Sequence, residues 1–222
     1  MQISIMVMNP NTNPSATLEE IRSLMERSTR FISLSGLSGI AAGIIALIGV
    51  GFVYAFLGTV PFESKRVYYQ EAFEIKKWGL NYVSFFILNA FFVIAGATIS
   101  GIYFTFRKAK KEGQKVGIDD ALTRRLLINL LVPLAAGGIF CLALLSHHLI
   151  GLLAPTTLIF YGLALLNSSK FTYSDMRTLG YLELGLGLVA LFFLPYGLEF
   201  WAFGFGFLHI FYGVLMYQKY DQ

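Results

Sequence analysis

The sequence predicts an all-α polytopic membrane protein, a six-transmembrane-helix bundle with a short amphipathic helix ahead of it. Three observations carry that prediction. Of the 222 residues 56% are hydrophobic and only 14% are charged, against about 25% charged in a typical soluble domain. The mean hydropathy is +0.64. The apolar residues also gather into runs long enough to cross a hydrocarbon core about 30 Å thick, separated by short polar connections. The formal net charge of +4 reads as membrane orientation and not as an affinity for nucleic acid. Cys141 is the single cysteine, so no internal disulfide can form.

In chain order, residues 1–16 are rich in Asn and Pro and lack a basic start, which predicts a flexible tail and not a secretory signal. Thr17 and Glu20 make a Thr-x-x-Glu capping box that opens a helix over 17–30. Leu18, Ile21, Leu24 and Met25 fall on one face of it and Glu19, Arg22, Glu26 and Arg30 on the other, as in a helix lying at a membrane surface. The bundle then occupies residues 31–222.

Span 1 covers about 31–56 and carries Ser35, Gly39 and Gly43 at four-residue spacing, a helix-packing stripe that lets another helix approach closely. That stripe serves either the bundle itself or self-association. Residues 57–81 mix charges with Tyr68, Tyr69, Phe73 and Trp78 and read as an interfacial helix at headgroup level. Span 2, about 82–106, contains Asn89 and the small residues Gly96, Ala97, Ser100 and Gly101. Arg107–Arg125 is a basic connection in which Gly113 suits a helix stop and Asp119 or Asp120 a helix start. Spans 3 (about 126–145) and 4 (about 149–166) each contain a proline, Pro133 and Pro155, and meet at Ser146-His147-His148. Spans 5 (about 178–195) and 6 (about 200–217) form a hairpin whose turn is placed at Pro195-Tyr196-Gly197-Leu198.

Orientation follows from the lysines and arginines. Thirteen of the seventeen lie in the amino-terminal segment, the 107–125 and 167–178 connections and the tail, so an even number of spans puts both termini on the cytoplasmic side.

Two residues break the last two apolar runs: Glu183 in span 5 and His209 in span 6. Each lies about 20 Å from the turn at about 1.5 Å per residue, which is mid-membrane depth. An ionised side chain there costs about 2.5–3.5 kcal/mol on insertion scales, so such groups face the bundle interior and find partners. Matched depth makes these two an intramembrane polar pair. It serves either as a clasp between the helices, with Tyr181 or Tyr212 nearby, or as a proton-exchanging site in a small transporter or channel.

A possible external polar cluster comprises His147, His148 and Glu199. A metal there would need further ligands from Glu63, Glu71 or Glu74, because adjacent histidines on a helix diverge by about 100°. No metal or cofactor is assigned. The sequence contains no Walker loop, dinucleotide fingerprint, hydrolase elbow or His-Glu-x-x-His motif; Gly204-Phe205-Gly206 lies inside span 6 and reads as a packing surface. The expected partners are the lipid bilayer and a second copy or another membrane protein. The leading functional expectation is a non-enzymatic association, scaffold or regulatory membrane protein.

The stretch NSSKFTYSDMRTLGYLELGLGLVALFF followed by GLEFWAFGFGFLHIFYGVLMYQKY resembles the carboxyl end of uncharacterised small six-span bacterial inner-membrane proteins. The likeness covers the last quarter of the chain and rests on the Ser/Lys turn, the positions of Glu183 and His209 and the glycine-phenylalanine run. It implies a bacterial inner-membrane setting, and no substrate, cofactor or catalytic residue.

Overall fold

In a computed structural model of the chain, residues 35–62, 76–111, 121–172 and 174–221 are described. The expected tail, the amphipathic helix over 17–30 and the centre of the basic connection lie outside these residues. So do positions 31–34 of span 1 and the loop acids Glu63, Glu71 and Glu74.

The described residues are almost wholly helical: α1 (Gly36–Leu57), α2 (Tyr82–Lys111), α3 (Ala121–Ser146), α4 (Leu153–Ser168), α5 (Ser174–Ala190) and α6 (Leu194–Tyr220). A 3-10 turn leads into α4 from Ile150 and another follows it to Phe171. Five runs are long and apolar enough to cross a membrane: α1, α2, α3, Ile150–Phe171 and α6. The 17 residues of α5 fall short of that length, at about 26 Å for 1.5 Å per residue.

Helix ends are fixed by local chemistry. Ser35 is extended (φ −95°, ψ 136°) and its hydroxyl accepts the N–H of Leu37, so it caps α1. α1 closes at Gly58, whose φ of 69° suits glycine and whose N–H returns to the Tyr54 carbonyl. At the end of α3, His148 takes the same left-handed role at φ 59°, and Leu149 N–H bonds back to Leu144.

Two expectations are corrected here. The segment 76–81 is not helical. Lys76–Lys77 pairs with Leu80–Asn81 in an antiparallel hairpin turned at Trp78 and Gly79, both at positive φ (56° and 75°). Packing outweighs the strain at Trp78: its ring meets Phe56 and Phe85, and the adjacent Lys77 Nζ donates to the Ala55 carbonyl at 2.7 Å. The second correction concerns the last hairpin. α5 ends at Ala190 and the chain turns at Leu191–Phe193, so Pro195 belongs to the first turn of α6 and not to the loop. Proline is tolerated there because its missing N–H has no helical partner in any case.

Successive helices run antiparallel, α1 between α2 and α6, and α4 beside α3, α5 and the first turns of α6. One end gathers the start of α1 and the ends of α2 and α6. Asp221 accepts from the Ser35 hydroxyl (2.7 Å) and the Gly36 N–H (2.9 Å), and its other oxygen pairs with buried Lys108 at 2.7 Å. The carboxylate thus sits on the positive end of α1. At this same end Asn167 of α4 donates to the Asn129 carbonyl of α3, while Lys219 and Tyr220 of α6 both donate to Asp175 of α5. Burial pushes the Asp175 carboxyl up, but those hydrogen bonds and the Lys219 charge outweigh it and hold the carboxyl below its ordinary range. Among the described residues, nine of the eleven lysines and arginines belong to this end; Lys76 and Lys77 lie at the other.

At the opposite end a buried cluster of Val53, Phe56, Tyr82, Phe85 and Ile150 joins the α1–α2 pair to the α3–α4 turn, with Phe56 and Phe85 stacked at 3.9 Å. Between the ends, α1 meets α6 along glycines: Gly36, Gly39 and Gly43 on one helix, Gly206 and Gly213 on the other. Large apolar side chains point outward, with Ile94 and Ile99 of α2 and Ile139 of α3 each about two-thirds exposed, while Glu183 is 0% exposed. Apolar groups outside and a carboxyl inside is the pattern expected where lipid is the solvent.

Candidate functional site

The site is assembled by α4, α5 and α6. α6 is not uniform. Its α-helical first turns, Gly197–Trp201, widen into a seven-residue π-helical segment, Ala202–Leu208, before α geometry resumes at His209. Such segments shift a backbone carbonyl out of the regular ladder and concentrate at functional sites. Here His209 Nδ1 lies 3.0 Å from the Gly204 carbonyl, five residues earlier. That oxygen can only accept, so Nδ1 carries a hydrogen. In the neutral ring Nε2 then accepts from the Tyr161 hydroxyl of α4 at 2.7 Å. Phe205 lies nearly parallel to the imidazole at 5.8 Å, and Tyr161 packs on Phe205 at 4.9 Å.

Glu183 enters from α5. Its Oε1 is 3.3 Å from His209 Nδ1, and neither carboxyl oxygen receives a hydrogen bond within the described structure. Gly204 makes room for it: a Cβ at that position would stand 2.5 Å from Oε2 and 2.5 Å from Leu158 Cδ2. The order is therefore carboxyl, imidazole, phenol, one group from each of three helices. Chemically such a chain can anchor the helices to one another, or pass a proton between neighbours.

Tyr161 is the member that the sequence reading does not name. It expects Tyr181 or Tyr212 beside the pair, yet Tyr181 is exposed and Tyr212 lines a shallow depression with Asp175 and Lys219 at the charged end. The signal available was modest: Tyr161 is a phenol in the middle of a span, and a buried phenol seeks a hydrogen-bond partner.

The other named residues are placed as follows. His147 and His148 occupy the exposed α3–α4 turn. Glu199 lies at the same end of the bundle, where its Oε1 accepts the N–H of Phe62 at 2.9 Å. Among the described residues no three His, Cys, Asp or Glu side chains converge as metal ligands would. In the packing stripe Gly39 and Gly43 contact α6, but Ser35 is the helix cap bound to Asp221, and Gly36 takes its place in the seam. Asn89 is half-buried beside Gly49 of α1. The chain matches no family model, and searches of curated proteins and of solved structures likewise give no match.

Proposed function

We propose that this is a six-span integral membrane protein that works by associating with itself or with another membrane protein, and that the Glu183–His209–Tyr161 chain clasps its last three helices together. In this reading α5 also crosses, bringing the spans to six, and the lysine- and arginine-rich end, which holds both the start of α1 and the end of α6, faces the cytoplasm of a bacterial cell. Cysteines placed one at a time in a Cys141→Ser background test the topology. Positions beside Lys170 and Lys219 react only from the cytoplasmic side, and positions beside His148 and Phe192 only from the other. A shared accessibility would remove the six-span reading.

One observation carries the association reading. Most glycines of the helices sit where a methyl group would strike a neighbour, but Gly51, Gly101, Gly138 and Gly185 have nothing within 4 Å of an added Cβ. A helix-interior glycine costs about 1 kcal/mol relative to alanine. The seam glycines return that cost through close contact within the bundle, and these four do not. Close approach of a second membrane helix supplies the missing return. A Cβ added at these positions meets open space, so the first atom of a larger side chain does not disturb the bundle. Mass measurement of the purified protein in gentle detergent is expected to show an oligomer for the parent chain and a monomer for at least one of Gly51→Leu, Gly101→Leu, Gly138→Leu or Gly185→Leu. A parent chain that is monomeric, with no co-purifying partner, overturns the reading.

A second reading, proton-coupled transport, draws on the succession of 3.3 and 2.7 Å contacts from Glu183 through His209 to Tyr161.

A further inference from the structure

The enclosure of Glu183 is complete, yet its carboxyl is left without a hydrogen bond. The nearest donor, His209 Nδ1, is closer to the Gly204 carbonyl (3.0 Å) than to Glu183 Oε1 (3.3 Å). A charge-assisted N–H to carboxylate bond closes to about 2.7–2.9 Å. The geometry is therefore that of a ring bonded to the carbonyl with an acid standing beside it, not that of an imidazolium gripping a carboxylate. On the Gly204 side there is no space for a further partner, because Leu158 Cδ2 and Leu186 Cδ2 lie 2.5 and 3.1 Å from where a methyl group would sit. A water oxygen placed there would collide with Leu158 Cδ2, and among the described residues no group of ligands converges on the site to hold a metal ion. An ionised carboxylate sealed away without hydrogen bonds is far costlier than the neutral acid in the same place. A proton is small enough to cancel the charge.

We propose that Glu183 is a proton-binding site held in its loaded, occluded state: the carboxyl keeps its proton while α4, α5 and α6 are closed on one another and releases it only when that seam parts. The balance is simple. Opening lets the acid give one proton to water and become a carboxylate; closing takes one proton back. Tyr161 from α4 and His209 from α6 are the titratable groups facing the acid, and α5 adds only Glu183 itself. The other charged residues of these helices, Lys170, Asp175, Arg177, Glu199 and Lys219, sit at helix ends. The π-helical segment is the positioning device. By offering the Gly204 carbonyl to Nδ1 it occupies the one hydrogen that would otherwise draw the acid into an ion pair. This deepens the second reading above and rests on these helices lying in a membrane.

The test uses the full chain in lipid nanodiscs. The infrared spectrum of the parent protein near neutral pH is expected to contain the carbonyl stretch of a protonated carboxylic acid that is lost in Glu183→Gln and retained in Tyr161→Phe. A parent-minus-variant difference showing only carboxylate bands overturns the proposal. A second measurement leaves Glu183 untouched. With the exposed His147 and His148 changed to Gln, nitrogen NMR of the remaining histidine is expected to show a neutral ring protonated at Nδ1, and an imidazolium signal overturns the proposal equally. A protein that washes off membranes in alkaline carbonate instead defeats the membrane reading itself, and the occluded site with it. An embedded protein with an ionised Glu183 defeats the proposal alone.

Discussion

Gly213→Ala is expected to lower stability by about 3 kcal/mol, the upper end of the usual range for overpacking a core. The added Cβ would stand 2.6 Å from the Ile40 nitrogen and 2.8 Å from the Gly36 carbonyl, both backbone atoms of α1. A side chain can rotate away from a methyl group; a helix backbone must move as a whole. α1 would have to lift from α6 along the line of Gly36, Gly39 and Gly43, and Asp221 would be drawn from Ser35 and Lys108. Thermal unfolding in mild detergent reads the loss, and Gly213→Leu should yield no folded protein. Gly101→Ala is the comparison: its Cβ meets nothing of its own bundle within 4 Å and alanine favours a helix by about 1 kcal/mol, so the fold of the single chain, as distinct from its association, is expected to hold. Equal melting of Gly213→Ala and Gly101→Ala would show that α1 and α6 do not touch at these glycines.

His209→Ala should cost about 3–5 kcal/mol. Part is the cavity left by an imidazole that is only 6% exposed, and part is the Tyr161 hydroxyl and the Gly204 carbonyl losing their partner. Tyr161→Phe keeps the ring and removes only the hydroxyl, so its cost is that of one unpaired Nε2, about 1–3 kcal/mol. The double variant is expected to lose less than the two singles added together, with a coupling of about 0.5–3 kcal/mol. Strict additivity in denaturant or thermal unfolding would mean that the 2.7 Å contact between Tyr161 and His209 contributes nothing.

How much of this was legible beforehand depends on which force decides each feature. Long apolar runs mark helices because hydrocarbon leaves a backbone no other way to pair its polar groups, so helices near the expected positions follow from composition alone. Their ends are less legible. Pro195 resembles a breaker, yet it lies in the first turn of a helix. Hydropathy reports solvent, whereas caps and turns report hydrogen bonds. The hairpin at Trp78-Gly79 was hidden for a related reason, since aromatic contacts with Phe56 and Phe85 hold a tryptophan where its own backbone preference would not.

Glu183 and His209 announce themselves because a charge is costly in lipid, and that cost is a property of the residue and its depth. Tyr161 does not, because its choice over Tyr181 and Tyr212 depends on how α4, α5 and α6 are rotated about their axes. Lys108 is a similar case: in the sequence it is one of several basic residues after span 2, and only the fold brings it to Asp221, out of water's reach.

By itself, then, the sequence determined the solvent of this chain, the approximate set of helices it builds and the two ionisable residues that interrupt the last of them. The tertiary structure alone decided the third member of their chain, the π-helical turn that directs His209 to a carbonyl, and the glycine seam that closes α1 on α6. The physical reason is that transfer free energy adds up along a chain, residue by residue, while contact geometry exists only between segments that have already come together.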